Sequence, residues 1–486
     1  MVFSSHLFIF YFLPLALLLY YAAPNLRLRH FVLTALSYLF YGWANPLFVV
    51  LMMTSTLIDY FCGLAIARQW GGAWKEPVLQ LESGGDRSRT QRIALIVSIC
   101  SNLSLLGFFK YFNFGISSYN ALVQSLGLEA WNFDLAFRIT LPLGISFYTF
   151  QSMSYSIDVY RGHAKAIRQA VDFFCYVSMF PQLVAGPIIR FSEVADQLQN
   201  RTHTLEKFAR GAAFVALGLT KKIMIANPCG KVADVVFDAG SVSCLDSWYG
   251  VVAYSFQIYF DFSAYSDMAI GLGLMLGFVF PKNFDSPYHS KSITEFWRRW
   301  HISLSSWLRD YLYVPLGGNR KGPTRTYINL MLVMLLGGLW HGASWNFVIW
   351  GGIHGVMLSM ERMHGKSGLN TSVPPVMRLL FTYLIVLITW VFFRAVDLPA
   401  AMAYCKSMLG QQDVQAGSSL IQGIIYQPYY LGSLLLAAVV TWAGVQTWDF
   451  TRRLTSAKLL IVFGLFVLSL LVLTTQSYNP FIYFIF

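Results

Sequence analysis

Charge is what this sequence has least of. Only 12% of its 486 residues are Asp, Glu, Lys or Arg, against roughly 25% in ordinary soluble domains. Hydrophobic residues make up 56% and aromatic residues 17%, a composition that excludes most water-soluble classes. Cysteine pairing is also missing. Cys62, Cys100, Cys175, Cys229, Cys244 and Cys405 show no CxxC or other paired spacing, so they read as small buried hydrophobes rather than a disulfide or zinc framework. There is no GxSxG elbow, no Walker loop and no HExxH pair. Serine hydrolase, ATP-driven pump and zinc hydrolase chemistry therefore lack a sequence basis, and no metal is expected. No internal repeat or low-complexity linker divides the chain, so one membrane domain over residues 1–486 is expected.

What is present is a succession of apolar stretches, each near the roughly 20 residues needed to cross a bilayer as a helix. In lipid a span must satisfy its own backbone hydrogen bonds, which predicts an all-α polytopic membrane protein. About a dozen membrane segments are expected, with Trp248 to Phe280 long enough to be broken or re-entrant. The first segment, Val2 to Tyr21, lacks a basic leader and a small-residue cleavage site, so it reads as a retained helix. The net charge of +12 comes from basic residues scattered between apolar stretches, with no polybasic tail or nucleic-acid motif. That pattern fits cytoplasmic loops and lipid headgroups, and no nucleic-acid partner is expected.

The loops give an orientation. Arg68, Lys75, Arg87, Arg89 and Arg92 precede the fourth apolar stretch, while Tyr111 to Arg138 is nearly free of basic residues, so the first loop is assigned to the cytoplasm and the second to the exterior. The richest basic stretch holds Lys282, Lys291, Arg298, Arg299, Arg309, Arg320, Lys321 and Arg325, interleaved with Phe296, Trp297, Trp300, Trp307 and Tyr311. It should lie at the cytoplasmic interface or dip into the bilayer.

Ionisable groups inside apolar stretches are costly, and each is a functional candidate. His341 follows the apolar run Met331 to Trp340 and is flanked by Gly337, Gly338 and Gly342, which leave room for a substrate or another backbone. Imidazole suits general-base work near neutral pH, although spacing alone equally allows a core histidine hydrogen-bonded between helices. His301 and His354 are the other two candidates. If 341–354 were one helix, His341 and His354 would point to different faces, so a shared site requires a break between them. Asp261 and Asp267 place carboxylates in an apolar segment. A transporter would use them for ion coupling, but the favoured reading is a structural polar core in which they pair with buried arginines such as Arg298 or Arg299. The breaks marked by Pro142, Pro181 and Pro187 should line a cavity.

The segments Phe296-Trp297-Arg298-Arg299-Trp300-His301-Ile302-Ser303, Trp307-Leu308-Arg309-Asp310-Tyr311-Leu312-Tyr313 and Leu339-Trp340-His341-Gly342-Ala343 resemble the membrane-bound O-acyltransferase (MBOAT) family, most closely its bacterial polysaccharide branch. The start Met1-Val2-Phe3-Ser4-Ser5 and the run Asp261 to Gly271 look like that branch too, with Ala264 where glycine is expected. The resemblance covers most of the chain and is densest from Tyr259 to Gly355.

It implies a membrane-embedded MBOAT fold with a funnel through it, an essential histidine at His341 and a second catalytic position at His301. It further implies transfer of acetyl from cytoplasmic acetyl-CoA across a bacterial inner membrane, toward an exported polysaccharide of alginate or cellulose type. Acetyl-CoA would be a substrate, and no tightly bound cofactor is expected. Arg298, Arg299 and Arg309 would then serve the donor's phosphates, with His354 beside Asp261 and Asp267 in the polar core. The partners implied are a separate periplasmic SGNH-type transferase and the polysaccharide synthase and export machinery. A sibling donor or acceptor, such as D-alanyl transfer or peptidoglycan acetylation, and less strongly a transporter, are the alternatives.

Single cysteines placed in the 282–325 stretch should be labelled by a membrane-impermeant reagent only after the cytoplasmic face is opened. Labelling in intact cells would reverse the assigned orientation.

Overall fold

A computed structural model describes residues 1–482 apart from 44, 69–77, 79, 134–137, 366–372, 413 and 415–417, so Lys75 lies outside the described residues. Among the described residues every regular element is helical, as an apolar chain that must satisfy its own backbone demands. The protein is an all-α membrane protein. Among the described residues four helices are long and apolar enough to cross a bilayer: Leu47–Ile66, Arg89–Ser125, Pro375–Arg394 and Ser456–Thr475. The helices fall into two compact units, Met1–Leu205 with Leu276–Phe280, and Glu206–Met275 with Pro281–Phe486.

The first unit contains α1 (Leu26–Gly42), α2 (Leu47–Ile66), α3 (Arg89–Ser125) and α4 (Ile145–Arg161). Its polar groups are satisfied in small networks. Asp59 of α2 is fully buried, and Asn102 Nδ2 donates to its two carboxylate oxygens at 2.9 and 2.8 Å while Ser98 Oγ donates to Oδ1 at 2.6 Å. The breaks at Pro142 and Pro181 meet each other: Gly144, at φ 71°, opens α4 where a Cβ would stand 2.7 Å from the Leu183 carbonyl oxygen.

The second unit begins with α5 (Leu205–Thr220), which continues through a π-helical turn, Lys221–Ala226, into α6 (Asn227–Asp238). Next comes α7 (Cys244–Met275), an uninterrupted helix of 32 residues. The stretch Trp248 to Phe280, expected to be long enough to break, stays helical through Met275 and leaves the helix at Leu276, with Gly277 at φ 87°. The stretch contains no proline before Pro281, and Gly271, its weak point, is where α5 and α7 touch: a Cβ on Gly271 would stand 2.5 Å from the Gly211 carbonyl oxygen. Two short helices follow, α8 (Ile293–Arg299) and α9 (Ile302–Leu308), then the long hairpin of α10 (Gly322–His341) and α11 (Trp345–Met363), then α12 (Pro375–Arg394) and α13 (Ser456–Thr475).

Asp261 and Asp267 are ion-paired, but not to Arg298 or Arg299 as expected. Lys222 Nζ lies 2.8 Å from Asp261 with both side chains buried, and Lys221 Nζ lies 2.7 Å from Asp267. The π-helical turn carries both lysines, and their flexible stems reach across to α7. Arg299 is taken locally, donating to Glu295 one turn earlier at 2.9 Å. The Asp261 pair also anchors the segment after α13: Lys222 Nζ donates to the Pro480 carbonyl, and the amide of Ile482 donates to Asp261 Oδ2 at 2.9 Å.

Asp261→Ala strands a buried ammonium, which should cost about 3–5 kcal/mol and lower the thermal midpoint of the detergent-solubilised protein. The double variant Lys222→Met/Asp261→Leu should recover most of the loss. A single variant as stable as the parent would show that this pair does not hold the segment.

Candidate active site

The hairpin of α10 and α11 is built on glycine. A Cβ on Gly338 would stand 2.2 Å from the Phe347 carbonyl oxygen, and one on Gly351 would stand 2.3 Å from that of Met334. Small residues at these crossings let two apolar helices approach backbone to backbone. Gly342 is filled in the same way, a Cβ there falling 2.0 Å from the Phe347 ring. Of the two uses open to the glycines around His341, Gly338 and Gly342 therefore admit protein.

His341 is the last residue of α10, and the chain breaks before α11 starts at Trp345. Its ring packs edge-on to Trp350 and Phe393, with centroids 5.3 and 5.2 Å away. The break meets the condition for His341 and His354 to approach one site, and both rings do lie against Trp350. Their settings differ. His354 is buried, its Nδ1 accepts from Trp297 Nε1 at 3.3 Å, and it stacks on Phe296. It does not line the small void beside His341, which is bounded by Ile258, Phe262, Trp300, Trp350, Trp390, Phe393 and Ile482. That void measures ≈ 10 Å³, enough for about one water-sized group.

His301 reaches the same place from the turn between α8 and α9, its ring centroid 6.5 Å from that of His341. It is fully buried and adopts the left-handed conformation, φ 44° and ψ 56°, which costs a non-glycine residue roughly 1–2 kcal/mol. Asn283 holds the turn. Its carbonyl oxygen accepts from the amide of Ile302 at 2.9 Å, and its Oδ1 accepts from the amide of Ser303 at 3.2 Å and from Ser303 Oγ at 2.9 Å. His301 Nδ1 lies 3.2 Å from the same Oδ1. Since Asn283 Nδ2 is turned to Ser266, Oδ1 can only accept, so His301 carries its proton on Nδ1 and presents Nε2 as an acceptor. That Nε2 is buried without a protein partner. Strain held at a buried, half-satisfied imidazole is the kind of feature found at reactive sites.

A wider cavity of ≈ 640 Å³ opens between α8, α9, α10 and α11, lined by Trp297, Arg298, Ile302, Ser306, Arg309 and Arg362 among others. Arg298 and Arg309, singled out in the sequence, line it; Arg299 does not, being held by Glu295 and by the Asp285 carbonyl at 3.0 Å. Leu330, Val333 and Met334 supply its α10 wall. His341 is seven residues beyond Met334, about 10.5 Å along the helix and within about 20° of the same face. The cavity and the imidazole therefore share one side of α10.

Sequence reasoning missed Asn283, Glu361 and Arg362. Glu361 is buried on α11 and accepts from the amides of Ile293 and Thr294 at 2.6 and 2.8 Å and from Thr294 Oγ1 at 2.6 Å, capping α8 from another helix. No local pattern marks such a contact, because the capped amides lie 68 and 67 residues away in sequence.

His301, His341 and the cavity-lining Arg298, Arg309 and Arg362 fall within the stretch that a family profile matches. The profile of the membrane-bound O-acyltransferase family matches residues 163–367. Over the full length of both chains the sequence is 44% identical to the probable alginate O-acetylase AlgI of Pseudomonas putida. It is 46% identical to that of Pseudomonas aeruginosa over 84% of this chain and 75% of the relative. With the peptidoglycan O-acetyltransferase of Helicobacter pylori it shares 37% identity over 85% of this chain and 81% of the relative. The chain belongs to the membrane-bound O-acyltransferase family, and it is an O-acetyltransferase. With both Asp261 and Asp267 held by lysines, the transporter reading loses the groups it was built on.

Glu361→Ala leaves the first amides of α8 without their acceptor, an expected loss of about 1–3 kcal/mol, read as a lower thermal midpoint. An unchanged midpoint would mean that α8 is held by other contacts.

Proposed function

We propose that this O-acetyltransferase takes acetyl from cytoplasmic acetyl-CoA and passes it across the bacterial inner membrane, for O-acetylation of an exported polysaccharide of the alginate type. It would act with a separate periplasmic transferase of the SGNH type, beside the synthase and export machinery of the polymer. The observation that carries this reading is the placement of His341 at an apolar void, with the His301 ring 6.5 Å from its own and an arginine-lined cavity two helical turns along α10. Arginines suit the phosphates of the donor, here Arg298, Arg309 and Arg362, and the void suits the small acyl end. The alginate-acetylating relatives support the acceptor class.

The chemistry follows from the groups present. An acceptor hydroxyl attacks the thioester carbonyl while its proton passes to the imidazole of His341; the carbon–sulfur bond then breaks, and the proton is returned to the thiolate, giving CoA and an acetyl ester. His301 offers a lone pair at Nε2, which fits it to orient the acceptor by accepting a hydrogen bond from a second, non-reacting hydroxyl rather than to donate to an oxyanion.

Glutamine approximates the bulk of histidine but cannot take the proton. His341→Gln should lower polymer acetylation per folded molecule by about 10² to 10⁴, whereas His354→Gln should reduce the amount of folded protein and activity in the same proportion. Acetyl content of the exported polymer, divided by folded subunit in the membrane, separates the two. Near-normal acetylation by His341→Gln would end the general-base reading.

A further inference from the structure

One wall of the void beside His341 comes from the last described residues of the chain, beyond α13. Ile482 lies in the segment after α13, and it is 2% exposed. Its position is fixed from several sides. The amide of Ile482 donates to Asp261 Oδ2 at 2.9 Å, the neighbouring Phe481 ring stacks on Tyr265 with centroids 4.7 Å apart, and Asn227 Nδ2 donates to the Tyr478 carbonyl at 3.2 Å. Asp261 is itself held by the buried ammonium of Lys222. A segment with an apolar side chain and a carbonyl tied to a buried ion pair is a built wall, since its loss would strand the charges behind it.

The other walls are mostly interlocked aromatics: Trp390 packs against Trp300, Trp350 and Phe393 with centroids 5.1, 6.2 and 5.3 Å away. They set the shape of the box and cannot be trimmed singly without opening the core. Two walls are aliphatic, Ile258 of α7 and Ile482, and of these Ile482 is brought in from the segment after α13. At ≈ 10 Å³ the void it closes takes about one methyl-sized group.

We propose that Ile482 is a specificity-determining residue, closing the chamber at His341 so that the transferred acyl group is limited to acetyl. The inference rests on the reading that the donor's acyl end occupies that void. Removing the side chain beyond Cβ frees space for the next carbons of a longer acyl chain. Phe481 serves as a control, because it sits in the same segment and stacks on Tyr265 without lining the void.

The test uses membranes of polymer-producing cells carrying the full chain, supplied separately with acetyl-, propionyl- and butyryl-CoA, with acyl esters on the polymer measured by mass spectrometry. The parent should transfer acetyl far better than butyryl. Ile482→Ala should raise the butyryl-to-acetyl ratio at least about tenfold, the scale on which a few methylene groups are discriminated in an apolar pocket, while Phe481→Leu leaves the ratio unchanged. If Ile482→Ala does not accumulate, Ile482→Val should raise the propionyl-to-acetyl ratio. A parent that acetylates beside Ile482 variants with an unchanged ratio overturns the inference alone, as does an equal shift in Phe481→Leu. A parent inert with every acyl-CoA overturns the donor reading and this inference with it.

Discussion

Backbone contact between α10 and α11 at Gly338 and Gly351 sets the distances from which the site is assembled. With the two helices this close, the break after His341 leaves the imidazole against Trp350 of the returning helix. Further along α11 the same approach delivers Glu361 to the amides that open α8. α8 carries Arg298 to the wide cavity and ends just before His301. A side chain at either glycine would push the helices apart, and every one of these distances would change together.

The second constraint is the demand that buried polar groups find partners inside the protein. Asn283 meets it for the strained turn at His301 by accepting from two amides and a hydroxyl, and in doing so it fixes the tautomer of the ring. Lys222 and Asp261 meet it for each other, and the leftover capacity of each is spent on the backbone at Pro480 and Ile482. Structural pairing of this kind is why the two carboxylates of α7 belong to the scaffold of the chemistry. His301 Nε2 is left without a protein partner, its ring 6.5 Å from that of His341.

Apolar and polar surroundings are separated along a single helix. The end of α10 at His341 faces aromatic rings that exclude water, while the wall formed by Leu330, Val333 and Met334 faces arginines in a cavity large enough for a cofactor-sized substrate. The imidazole thus sits among rings, whereas Arg309 at the cavity is held by Asp310, its Nε donating at 2.7 Å.

Composition and hydropathy were enough to determine that the chain is an all-helical membrane protein, because lipid allows an apolar chain of this kind few other ways to satisfy its backbone. Local pattern also singled out His341, His301, Arg298 and Arg309, since an ionisable or basic residue stands out against so few charges. Tertiary structure decided the rest. It assigned Asp261 and Asp267 to lysines on a π-helical turn, kept α7 whole, withdrew Arg299 to Glu295, and brought Asn283, Glu361 and Ile482 to positions that their neighbours in sequence do not foretell. The physical reason is the same in each case: hydropathy is a property of a residue and its near neighbours, whereas a partner for a buried charge or a wall for a void is chosen by whichever distant segment the packing brings within reach.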